Sequence, residues 1–277
     1  MKGNPILGTG SGSIGDVTVM RRNGSQVTRV RLRKIKNPMS QGQAEQRMYM
    51  APILKFYSPL AKVLETSFEG LNKAESYAKF ISVNANLARA NGWGVKKGSG
   101  FVALPYQVAG GSMPQPTIIN PAESNATGLQ LNVSAENPKW GDVSEALIAD
   151  YGLQNGDQIT FIGYSVDDNN RGTLKYERFF VDSTSTDAIP TSIDYDSENS
   201  ILCLVIGGRA ANMGTVIFSR WDSTTQKWSR SNSFMVCDTT YLANYTGAEK
   251  LAAAIASYMK SAGQTPVSDV YLNGSDD

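Results

Sequence analysis

Valines at 17 and 19, and again at 27 and 30 with Leu32, lie on either side of Asn23-Gly24. Apolar positions of this kind around an Asn-Gly pair predict two short strands joined by a two-residue turn, because both turn positions need positive φ. A hairpin is expected over 16–34. Asn37-Pro38 ends it, since proline pushes the residue before it away from helical geometry. Ser40 and Gln43 then have the spacing of a capping box. Met48, Phe56, Leu60, Val63 and Leu64 recur at helical spacing, with Ala51 and Ile53 nearby, so a helix should run to about Ser67. Pro52 and Pro59 predict a kink, or a break into two short helices. A second helix is expected from about Leu71 to Ala90, with Ala74, Tyr77, Ala78, Ile81, Leu87 and Ala88 on or near its buried face. Asn91-Gly92 is its stop signal and SFEGLN the link, so the two form a helical hairpin.

Beyond Val95 the period changes. An extended stretch rich in Gly and Pro runs to about Pro121, and FVALPYQVAGGSM within it has the character of an edge strand. Strand-like segments follow at Leu129–Ser134, Gln158–Val166, Leu174–Val181, Ser200–Ile206, Thr215–Trp221 and Trp228–Val236, separated by polar turns. Gly247 to Ser261 reads as an alanine-rich helix, and Val267–Leu272 as a last strand. The expected fold is α+β: an N-terminal β-hairpin plus helical hairpin, followed by an antiparallel β-sandwich-like domain with a C-terminal helix. The sandwich is of immunoglobulin-like or fibronectin-like class by pattern only, without that family's Cys-Trp-Cys spacing. The expected domains are 1–95, a basic hairpin and helical-hairpin module, and 96–277, an acidic β-rich domain.

Charge sharpens that division. The chain has 277 residues and a net charge of +1. Residues 1–100 carry 16 Lys and Arg against 5 Asp and Glu, whereas residues 101–277 carry 10 against 20. Arg21, Arg22, Arg29, Arg31, Arg33, Lys34, Lys36 and Arg47 form the basic cluster, opposed only by Glu45. Alternation along the second strand puts Arg29, Arg31 and Arg33 on one face. That face meets solvent, an acidic protein or phosphate, and these eight residues are the candidate site for an acidic partner or nucleic acid. The hairpin has no aromatic residue, so single-strand base stacking on it is not expected.

The remaining chemistry narrows the choice of function. There is no histidine, which removes the commonest general base and metal ligand. Cys203 and Cys237 cannot form a zinc cluster and read as buried free thiols, with a single disulfide as the alternative. Asp167-Asp168, the Asp194-x-Asp196-x-Glu198 run, and Glu177 with Asp182 could supply carboxylate pairs. Each sits in or beside a predicted turn, where aspartate serves the backbone, and the 194–198 run lacks the glycine and distal glutamate of a calcium loop. GTGSGSIG precedes a strand rather than following one, so it reads as a flexible or tightly turning arm rather than a phosphate loop. Trp93, Trp140, Trp221 and Trp228 read as core or sheet-packing residues rather than a sugar platform. No catalytic residue, metal or cofactor is expected. The N-terminus has no signal-peptide pattern and no segment has the length of a membrane span, so synthesis in the cytoplasm is expected, with a virion as a further location.

Gly12-Ser-Ile-Gly15-Asp-Val, the Asn37, Pro38, Ser40, Gln43 and Arg47 spacing, the Ser67–Gly70 turn, and Phe80 with Asn84 together resemble a family of uncharacterised proteins from Bacteroidota and phages of gut bacteria. Its signature is Asn-Pro-x-Ser/Thr-x-x-Gln-x-x-x-Arg. The resemblance covers roughly residues 1–95 and is only architectural beyond. It implies no activity, cofactor or catalytic residue, and implies a phage or mobile-element context. The expected function is therefore a non-enzymatic structural or interaction protein, a virion or assembly component, docking through its basic module onto an acidic protein surface or nucleic acid. Self-association or a protein partner is expected, with no membrane and no small-molecule substrate. The alternatives are a dedicated nucleic-acid-binding protein and a surface module binding glycan or protein through the β-rich half.

Overall fold

A computed structural model describes residues 12–14, 17–22, 25–30, 41–91, 105–121, 126–166 and 172–236. The chain divides into two compact units, Met1–Gln41 and Gly42–Asp277.

The first unit is a three-stranded antiparallel meander of β1 (Gly12–Ile14), β2 (Val17–Arg22) and β3 (Ser25–Val30). Arg22 pairs with Ser25 across the two residues Asn23 and Gly24, the register the turn signal predicts. The glycine-rich arm is corrected in part: Gly12–Ile14 pairs with Val17–Val19 as a third strand. Ile14 is in register with Val17, and the ladder to β2 gives the backbone groups of this strand partners.

In the second unit, α1 (Gln41–Leu64) is one continuous helix, so neither Pro52 nor Pro59 breaks it. Pro59 is exposed, and so is Lys55, whose carbonyl it leaves without an amide donor; water can serve that group. On the opposite face Ile53, Phe56, Leu60, Val63 and Leu64 are buried and hold the helix to the core. The serine cap at Ser40 lies outside the described residues. α2 (Lys73–Asn91) opens on a capping box. The Asn72 side chain accepts from the amides of Ala74 and Glu75, at 3.0 and 3.1 Å, and the Glu75 carboxylate accepts from the Asn72 amide. Its buried stripe is Ser76, Phe80, Asn84 and Ala88, so of the expected face Ala88 is buried and Ile81 and Leu87 pack partly buried against the core. Ala74, Tyr77 and Ala78 are exposed, because two buried polar residues disguise the apolar period.

The β-rich part is antiparallel. β4 (Gln107–Ala109) pairs with β14 (Ser233–Phe234). A four-stranded sheet has the order β13 (Lys227–Arg230), β12 (Met213–Asp222), β7 (Gln158–Val166), β8 (Gly172–Phe180). A second sheet runs β11 (Arg209–Ala210), β10 (Ile201–Ile206), β6 (Gly128–Gln130), β5 (Ile118–Ile119), with β9 (Ile193–Asp196) also on β10. The four-stranded sheet is the middle layer. On one face Ile162, Tyr164, Met213 and Ile217 share a core with Phe56, Leu60 and Phe80 of the helices. On the other, Ile159, Phe161, Val216 and Phe218 meet Leu129, Leu202 and Leu204 of the second sheet. The α+β fold is thus a sandwich with a helical layer added, and the helical pair shares its core with the β-rich region.

α3 (Trp140–Tyr151) occupies the interval between the expected strands Leu129–Ser134 and Gln158–Val166, where the sequence pattern predicts no element. Asp142 accepts from the Lys139 amide at 2.7 Å, Gly152 closes the helix with φ 64°, and Val143 and Leu147 pack into the sandwich. The expected late helix at 247–261 lies outside the described residues.

Candidate interaction site

The register places the basic cluster. Arg22 lies opposite Ser25 and Arg29 opposite Thr18, on one face of the meander, whereas Arg21 lies opposite Gln26 on the other. Arg29 is exposed. Arg31, Arg33, Lys34 and Lys36 lie outside the described residues. Arg47 is an exposed position of α1, in the second compact unit. Two of the eight predicted residues, Arg22 and Arg29, are therefore brought onto one described face. β3 is an outer strand of its sheet, and its Val27 and Val30 are 41% and 72% exposed.

A second polar centre surrounds the Ser67–Gly70 turn. Phe68 is buried and bridges Gly110, the Glu69 amide donates to the Gly110 carbonyl at 2.8 Å, and the Gly110 amide donates to Ser67. Burial would raise the Glu69 carboxyl, but bonds from the Ser112 amide and hydroxyl and the Arg230 amide, with the Arg230 charge, hold it below its usual range. Gly111 fits here because a Cβ would strike the Arg230 carbonyl.

Two arginines from the middle sheet close the C-terminal end of α1. Arg230 Nε donates to the Thr66 carbonyl at 2.9 Å, and Arg178 Nη2 to the Lys62 carbonyl at 3.2 Å. Cations suit this end, where carbonyls lack intrahelical donors. The Arg230 guanidinium lies 4.6 Å from the Trp228 ring centroid. Its pKa is pulled down to about 10, first by burial and then by the Arg178 charge, against the opposing pull of Glu69. Asn84 ties α2 to β4: its Nδ2 donates to the Phe80 and Gln107 carbonyls, and its Oδ1 accepts from the Gln107 amide, each at 2.9 Å. Nothing about a lone Ser-Phe-Glu-Gly or Phe-Asn pattern reveals these roles, which need partners up to 164 residues away.

The carboxylate candidates are engaged in turns and pairs. Asp196 accepts from the amides of Glu198 and Asn199 and the Asn199 side chain; Asp182 accepts from Thr184; Glu177 pairs with Lys175 at 2.8 Å. Asp167 and Asp168 lie outside the described residues. Among the described residues no group of three or more acidic or cysteine side chains is placed to hold a metal ion, and no helix is long and apolar enough to cross a membrane. Cys203 is a buried free thiol; Cys237 is outside the described residues. Trp140 packs inside, its Nε1 donating to the Phe180 carbonyl at 2.9 Å. Trp221 and Trp228 are sheet-packing rather than core residues: they are cross-strand partners with ring centroids 5.3 Å apart, and they are 47% and 36% exposed. Both stand beyond the end of α1, on a row of the sheet that none of the described helices covers. Trp93 lies outside the described residues.

The chain thus defines an α+β protein with two distinct polar surfaces. Residues 9–143 match the model of a family of unknown function (DUF6266). The match runs past residue 95 into α3. No curated protein and no solved structure matches the chain.

Proposed function

We propose that this is a non-enzymatic structural or interaction protein whose basic N-terminal module docks onto an acidic protein surface. The carrying observation is the outer strand β3, where exposed Arg29 stands between exposed Val27 and Val30. An outer strand offers backbone donors and acceptors to an added strand. Val27, on the face of Arg29, and Val30, on the opposite face, add apolar contact to either side of an added strand, and Arg29 supplies charge for carboxylates. Phosphate alone would gain nothing from the valines, which favours protein over nucleic acid. A phage-associated setting, as a virion or assembly component, rests on the resemblance of residues 1–95.

The test is fluorescence anisotropy of the full chain with a labelled acidic peptide of alternating Glu and Val, and with a labelled 20-base-pair duplex. Peptide binding should weaken with salt and be lost when Arg21, Arg22 and Arg29 are together replaced by Gln. Duplex binding with a steep salt slope, without peptide binding, would instead make it a dedicated nucleic-acid-binding protein. Binding to neither would refute a docking role for the module.

A further inference from the structure

On the helix-facing side of the middle sheet, the rows of paired residues can be followed from end to end. Met213 with Tyr164 and Leu174, then Thr215 with Ile162 and Tyr176, lie among the residues that meet the helices. Next comes Ile217 with Thr160 and Arg178, where Arg178 reaches the last turn of α1. The following row is Arg230, Ser219, Gln158 and Phe180, and the last is Trp228 with Trp221. The helix has ended by then. Phe180, Trp221 and Trp228 are 58%, 47% and 36% exposed, and all three lie on this one face at this one end. The two indoles are 5.3 Å apart and inclined at 55°. Half-buried Gln158 lies between them and Phe180 in the pairing order.

The Arg230 guanidinium lies over the Trp228 ring at 4.6 Å, and Arg178 lies over Tyr176 at 5.5 Å further along the same face. Arg178 is exposed and Arg230 is nine-tenths buried, and their guanidinium groups repel. Glu69 is the acidic group acting on Arg230, and its oxygens already accept from Ser112 and the Arg230 amide. Arg230 Nη1 is buried with no hydrogen-bond partner, a costly arrangement that an added anion would relieve.

We propose that this uncovered end of the sheet binds an acidic oligosaccharide. The C–H face of a sugar ring lies on Trp221 and Trp228, and its carboxylate meets Arg178 with Arg230 behind it. Charge complementarity selects a carboxylated sugar over a neutral one. Half-buried Gln158, paired with Phe180, interrupts the aromatic surface, which suits the mixed C–H and hydroxyl surface of a sugar better than the dry apolar centre of a protein contact. Arg230 stays beneath the Trp228 ring and acts on the carboxylate through its charge.

Exposed indoles provide the readout. Oligogalacturonate, hyaluronan oligosaccharide and oligosialic acid are titrated into the full chain while tryptophan fluorescence is followed, with cello-oligosaccharide as the neutral control. At least one acidic sugar should quench, with at least tenfold weaker binding in Trp221→Ala and in Arg178→Gln and no response to the neutral one. Both positions are exposed, so unchanged thermal melts confirm that these variants fold. Silence with all three acidic sugars would overturn the proposal, as would equal binding of the neutral sugar or unchanged affinity in Arg178→Gln. Self-association in sedimentation that Trp221→Ala abolishes would assign the surface to a protein contact instead. The Arg21, Arg22 and Arg29 variant should bind sugar normally, so this outcome is separable from that of the N-terminal docking test.

Discussion

Replacing Asn84 by Leu keeps the branched shape of the side chain, at a larger volume, and removes its polar atoms. In the native structure this one amide satisfies both backbone groups of Gln107 at 2.9 Å. β14 lies on the other side of β4, so it cannot take over. The variant therefore strands one N–H and one C=O. An unsatisfied buried group costs about 1–3 kcal/mol, and Gln107 is only half-buried, so the lower part of that range applies to each. The sum is about 2–3 kcal/mol, which for a chain of this size lowers Tm by roughly 5–10 °C. Urea unfolding followed by far-ultraviolet circular dichroism should show a lower midpoint with an unchanged slope. A loss below about 0.5 kcal/mol would refute the claim that Asn84 clasps α2 to β4. Asn84→Asp adds a pH signature. An ionised carboxylate there faces the Phe80 and Gln107 carbonyls, whereas a protonated one can still donate to Gln107. The introduced group's folded pKa is thus raised above its unfolded value of about 4. Its stability should be nearest to native below that pH and fall as pH rises through the folded value.

Glu69 should behave with the opposite sign. Its pKa is depressed in the folded protein, so its contribution is present above the unfolded value of about 4.3 and is lost as pH falls through the folded value. Glu69→Gln should flatten stability against pH between about 3 and 5 in urea titrations; an unchanged profile would show that the turn does not depend on its charge. The Cys203 thiol is pushed up to about 12, first by burial and then by Asp194 and Asp196. In a Cys237→Ser background it should resist a disulfide reagent at pH 8 and react fully in urea; fast native labelling would contradict its burial.

The hairpin, the two helices and the strands β7, β8, β10 and β12 were legible because their signals are local. Asn-Gly sets a two-residue turn wherever it occurs between extended segments, and alternation in QITFIGYSV describes a strand without reference to its partners. Short elements were not legible. β5 and β11 are two residues each and exist only through pairing with β6 and β10. α3 had its signals in Asp142 and Gly152, but without Ser, Thr, Asp or Asn at the cap it stayed hidden among strands.

The basic composition of the first hundred residues, the turn at Asn23-Gly24 and the alternation of the long strands belong to the sequence by itself, because each is a property of neighbouring residues. The tertiary structure alone decided that Ser76 and Asn84 lie on the buried face of α2, and that Trp221 and Trp228 stand partly exposed with Arg230 against Trp228. Those outcomes depend on register and on where α1 ends over the sheet. Register and helix end bring residues 66 and 230 together, and no local pattern in the chain carries a separation of that length.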